Sequence, residues 1–104
     1  MRMLMKVKIP TDQGNRLVRE GKLGATLRSI LEELKPEAVY FFEDHGERTG
    51  MIVADLADPA QIPRVAEPFF LALHAQVEMH PAMTPQDLAK AEQDLQRAAQ
   101  KYAA

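Results

Sequence analysis

Cysteine is absent from the 104 residues. Disulfide scaffolds, thiol catalysis, zinc–cysteine sites and iron–sulfur clusters are thereby excluded. An excess of positive charge is also missing. Thirteen Lys and Arg stand against 15 Asp and Glu, for a formal charge of -2, so no basic stripe of the kind that carries nucleic-acid binding is expected. Long apolar runs are lacking too. The longest uncharged one, FFLAL at 69–73, is far too short for a bilayer, and the N-terminal MRMLMKVKIP has no unbroken signal-peptide core. The expectation is a soluble cytoplasmic chain with neither membrane nor nucleic acid as partner. There is no internal repeat, low-complexity tract or linker, and the glycines fit neither phosphate-loop nor dinucleotide spacing.

What is present is regular apolar patterning over most of the length, with 46% hydrophobic and 27% charged residues. A chain of this size makes one domain, residues 1–104, able to bury roughly 60–70% of its unfolded surface. Residues 3–9 alternate as a strand, with Met3, Met5, Val7 and Ile9 on one side and Leu4, Lys6 and Lys8 on the other. A short helical turn follows to about residue 20, closed by Gly21. A helix over 23–35 carries Leu23, Leu27, Ile30, Leu31 and Leu34 on one face and stops at Pro36. Strands are expected over 38–43, 50–56 and 75–80. Asp58-Pro59 starts a second long helix, with Ile62, Val65, Ala66, Phe69, Phe70 and Leu73 as its apolar face and Pro68 inside it. Thr84-Pro85-Gln86-Asp87 reads as a capping box that opens a terminal helix over about 84–101. Its stripe of Leu88, Ala91, Leu95, Ala98, Ala99 and Tyr102 is narrow, which places it on a surface rather than in the core.

The stretch FFEDHGERTG sets one histidine among four charged residues. Read as a two-residue hairpin loop, His45-Gly46 puts positive φ where glycine accepts it freely and histidine tolerates it. Pairing then runs from Asp44 with Glu47 back to Ala38 with Val53. Glu43 faces Arg48 as an attractive pair, and Asp44 faces Glu47 as a repulsive one. The turn outweighs a catalytic reading of His45.

This register collects Met3, Met5, Val7, Val39, Phe41, Ile52, Ala54, Val77 and Met79 on a face meant for the helices. The other face holds Leu4, Tyr40, Phe42, Met51 and Val53 at its centre, with ionisable residues around them. An apolar centre of this kind calls for cover, and a second copy of the same sheet provides it by two-fold pairing. The fold class is therefore α+β: a ferredoxin-like βαββαβ antiparallel sheet with an additional C-terminal helix, self-associated as a homodimer.

The order of elements and the two-faced sheet resemble the dimeric α+β barrel superfamily. PEAVYFFEDHGERTGMIVADL, IPRVAEPFF and HPAMTPQDLAK are similar to small stand-alone bacterial proteins of that class that carry no assigned activity. The resemblance spans nearly the whole chain. It implies a cavity between two sheets, in a superfamily that includes cofactor-independent monooxygenases, isomerases and haem-degrading proteins. Fold by itself does not select among them.

Glu78 and His80 share a strand face, with Asp55 near. Such a trio suits proton transfer or a nitrogen-and-carboxylate metal site, against the ordinary reading of a polar rim satisfied by water, which is preferred. No metal and no cofactor is called for. Tyr40, Lys6, Lys8 and Phe42 are candidates for binding a small carboxylate or enolate in the cavity, against the ordinary roles of interface tyrosine and edge lysine. His74 at a helix end suits the helix dipole. Arg16, Arg19 and Lys22 make a solvated basic face. Two functions follow: a homodimer binding a small metabolite between its sheets, or a cofactor-independent monooxygenase or isomerase acting on a small cyclic or aromatic compound. A regulatory module and RNA binding through Tyr40 and Phe42 rank below them. The latter lacks an RRM consensus.

Overall fold

Alternation with a period of two makes β1 (Arg2–Lys8) a strand, and it buries Met3, Met5 and Val7 while leaving Leu4 exposed. The structure, a computed structural model, describes residues 1–103. After β1 come α1 (Thr11–Arg19), α2 (Leu23–Leu34), β2 (Ala38–Asp44) and β3 (Glu47–Asp55). A 3-10 turn (Pro59–Gln61) then leads into α3 (Ile62–Leu73), followed by β4 (Gln76–Pro81), α4 (Pro85–Lys90) and α5 (Glu92–Tyr102).

The four strands form one antiparallel sheet in the order β2-β3-β1-β4. The molecule is thus α+β, with five α-helices among the described residues. The element order departs from a strict βαββαβ. The first crossover holds two helices, because Gly21 (φ 69°) turns the chain after α1, and two more helices follow β4.

One hydrophobic core joins Met5, Val7 and Ile52 of the sheet to Leu17 of α1, Ile30 of α2 and Val65, Phe69 and Leu73 of α3. All three helices therefore lie on one side of the sheet. Phe69, Met5, Ile52, Leu73 and Val65 are the largest side chains fully removed from water. Ile62 and Phe70, expected on the same face of α3, stay exposed.

The hairpin has the expected register at every position: Ala38 pairs with Val53, Val39 with Ile52, Tyr40 with Met51, and so on to Asp44 with Glu47. His45 (φ 51°) and Gly46 (φ 81°) occupy the turn, the two positive φ values that a type I′ loop needs. Glu43 and Arg48 face each other as expected, but their side chains form no ion pair. Glu43 turns back to accept the Gly46 N–H at 3.1 Å, and Glu47 reaches α1 to accept the Thr11 N–H at 3.1 Å. The like charges of Asp44 and Glu47 thereby part, one to each side of the sheet.

The capping box is used as read, whereas Asp58-Pro59 opens the 3-10 turn in place of the long helix, and α3 itself begins at Ile62 with no side-chain cap. Asp58 accepts the Ala60 N–H at 2.8 Å ahead of α3, and Thr84 and Asp87 close a reciprocal capping box on α4. The single terminal helix becomes two, because Ala91 (φ -91°, ψ 5°) leaves helical geometry between α4 and α5. Every residue of α5 is exposed. The molecule measures 59 × 29 × 20 Å, with a radius of gyration of 17.5 Å against about 13 Å for a compact chain of this length. The α5 arm stands clear of the body. No helix among the described residues is long and apolar enough to cross a membrane.

Two stability effects follow. Lys35 (φ 49°) and His74 (φ 54°) end α2 and α3 in left-handed conformation, where a side chain is strained and glycine is not. Lys35→Gly and His74→Gly are each expected to stabilise by about 0.5–1 kcal/mol in urea unfolding. Phe69→Ala is expected to cost about 3–5 kcal/mol by the same measurement.

Candidate functional site

The open face of the sheet is built by strand parity. Leu4, Lys6 and Lys8 of β1 lie beside Val53, Met51 and Thr49 of β3, which lie beside Ala38, Tyr40 and Phe42 of β2. On the other side of β1, Leu4 faces His80, Lys6 faces Glu78 and Lys8 faces Gln76 of β4. Tyr40 is 68% exposed and Phe42 43%, while Met51 and Val53 are half-buried. An aromatic and aliphatic strip therefore meets water across β2 and β3.

Charge gathers at the hairpin end of this strip. Asp44, 20% exposed, lies 2.7 Å from Lys6 Nζ and 3.4 Å from Lys8 Nζ. His45 Nδ1 is 3.1 Å from the second carboxylate oxygen. The Lys6 contact, with help from Lys8, holds the Asp44 carboxyl well below the ordinary range, to about 2, against the opposing effect of burial. The same contact raises Lys6. Lys6 and Lys8, candidates from the sequence for binding a carboxylate, are thus partly neutralised by a residue the sequence pairs only with Glu47. With Glu78 facing Lys6 from β4, two bases and two acids meet at this corner, and their formal charges balance. A notch of about 40 Å³ between β1 and β4 is lined by Lys6, Lys8, Gln76 and Glu78.

Of the three acid/base candidates, Glu78 and His80 share one face of β4 and Asp55 stands across β1 from them. Asp55 sits opposite Arg2 at the far end of β3 and accepts from the terminal amine of Met1 at 2.8 Å. That contact lowers its pKa. Close by, Arg2 is gripped by both carboxylate oxygens of Glu37 at 3.0 Å, which raises the guanidinium further. Glu78 and His80 are exposed on the edge strand β4, and neither is hydrogen-bonded to Asp55. Among the described residues no three His, Asp or Glu side chains gather where a metal ion would be held.

A second cavity lies on the helix side, where the sequence leads one to expect a closed core. Phe41 shares the core-facing parity of Ile52, yet it is 59% exposed, because β2 is the sheet edge and α2 does not close over its hairpin end. The gap is a cavity of about 590 Å³. Val7, Leu23, Leu27, Ile52 and Phe69 form its apolar wall, and Asn15, Glu43 and Arg48 stand among its polar groups. Its size is that of small-molecule sites. Apolar alternation put Phe41 on the helix face, but alternation alone does not say how far a helix reaches across a sheet.

No protein-family model matches this chain, and no curated protein matches it in sequence.

The Asp44 cluster has a pH signature. Its folded pKa of about 2 lies below the roughly 3.9 of an unfolded aspartate. Its contribution is therefore complete above about pH 4 and fades as pH falls toward the folded value. Asp44→Asn is expected to give a shallower loss of stability between pH 4 and 2 than the parent chain, read from urea midpoints. Parallel acid limbs would show that the cluster is not coupled to folding.

Proposed function

We propose that the chain works as a homodimer that binds a small metabolite between two apposed sheets. In this reading the fold is ferredoxin-like and the assembly is a dimeric α+β barrel. The sheet order β2-β3-β1-β4, with three helices on one side, suits it, and the two-helix first crossover is an elaboration of the same path. The observation that carries the proposal is the uncovered strip of Leu4, Tyr40 and Phe42, exposed on a face that no helix of its own chain shields.

Area argues for the arm as well as the sheet. Four strands about 4.8 Å apart and roughly 24 Å long present on the order of 450 Å² per chain, against about 800 Å² per partner in a standard interface. In this reading the remainder comes from α4 and α5, whose Leu88, Leu95 and Tyr102 are exposed. An isolated helix of 11 residues is marginal in water, so α5 gains its stability by packing on the second copy.

Binding is preferred to catalysis because Asp55 lies across β1 from Glu78 and His80, which stand exposed on the edge strand β4. General acid–base chemistry needs such groups within hydrogen-bond reach of one substrate. The corner of Lys6, Lys8, Asp44 and Glu78 beside Tyr40 and Phe42 offers ammonium donors to a small ligand with an anionic group and an unsaturated or ring body.

Sedimentation velocity tests the assembly. The parent chain is expected to run as a dimer. Tyr40→Glu, at an exposed position where the fold tolerates change within about 0.5 kcal/mol, is expected to run as a monomer with unaltered circular dichroism. A parent chain that stays monomeric at high concentration refutes the proposal.

A further inference from the structure

The helix-side cavity differs from the open sheet face in one respect: its wall is apolar and a single cation stands at its rim. Arg48 is half-buried. Its guanidinium lies over α1 at Gly14, so close that a Cβ there would come within 2.6 Å of Nη1. Glycine at this buried helical position makes room for the guanidinium. The two carboxylates of the same rim each give one oxygen to a backbone N–H, Glu43 to that of Gly46 and Glu47 to that of Thr11. Among the described residues Arg48 forms no ion pair. A planar fork of five N–H donors is thus held over an apolar hollow without an acceptor.

We propose that this cavity is a second binding site, for an amphipathic monocarboxylate such as a medium-chain or arylalkyl acid. Arg48 takes the carboxylate through paired N–H···O bonds, the geometry for which a guanidinium is suited and an ammonium is not. The apolar body lies against Leu23, Leu27, Ile52 and Phe69, and Phe41 flanks the opening. The amide nitrogen of Asn15 is a second donor on the same rim. Burial of the hydrocarbon body supplies affinity, and the guanidinium selects the acid over its neutral analogues. The site is separate from the one proposed between sheets, since Lys6 and Lys8 point to the opposite face.

Isothermal titration with decanoate and decanamide, below their aggregation concentrations, tests it. Decanoate is expected to bind at least ten times more tightly than decanamide. Arg48→Met is expected to erase that preference. So is Gly14→Ala, which keeps every charge, improves helix propensity and displaces only the guanidinium. Lys6→Met and Lys8→Met are expected to leave decanoate binding unchanged. Equal binding of acid and amide overturns the proposal, as does absence of binding by both. A preference that survives in Gly14→Ala and Arg48→Met but is lost in the lysine variants also overturns it, and moves the anion to the open sheet face. Circular dichroism and a cooperative urea transition establish that each variant is folded. Should Arg48→Met fail that check, Gly14→Ala alone decides.

Discussion

The two-residue turn at His45-Gly46 is the constraint on which the rest of the molecule depends. Side chains alternate along a strand with a period of two, so a slip of one residue in the pairing of β2 with β3 would exchange the two faces. Positive φ at both positions excludes that slip, because the loop that needs them joins its strands in one register only. Tyr40 and Phe42 are thereby sent to the open face, and Val39 and Phe41 to the helices. Asp44 goes to the lysine side, and Arg48 goes to α1.

From this register two sites of different character arise. On the open face the acid of β2 meets the two bases of β1, and a charged corner adjoins an aromatic strip. On the helix side the edge position of β2 leaves Phe41 partly uncovered, and a cavity remains between strand and α2. One corner is a salt cluster beside exposed aromatics. The other is a guanidinium without an ion-pair partner beside an apolar wall, with Glu43 and Glu47 on the same rim. The difference lies in where Glu43 and Glu47 spend their hydrogen bonds: both serve backbone N–H groups, and neither forms an ion pair with Arg48.

The α4–α5 arm has a simple physical basis. Its apolar stripe is made largely of alanine, and small side chains bury little area. Packing against its own domain would therefore offer little stabilisation, and the break at Ala91 directs α5 away from the body. Leucines and a tyrosine left exposed on that arm, together with the bare sheet face, are the features that the homodimer reading joins.

Local chemistry was legible in the sequence. The strands, the long helices, the cap at Asp58, the capping box at Thr84 and the whole β2–β3 register follow from period, proline, glycine and turn residues, all effects that act over a few positions. Contacts between remote segments were not. That Glu43 would leave Arg48, that Asp44 would recruit Lys6, that Asp55 would meet the terminal amine, and that α2 would stop short of Phe41 depend on distances between elements. Those distances are set by how the helical layer packs on a twisted sheet. A pattern of apolar residues states which side of an element faces inward. Only the packed structure decides how far that inward side is covered, and there both the bare strip and the cavity lie.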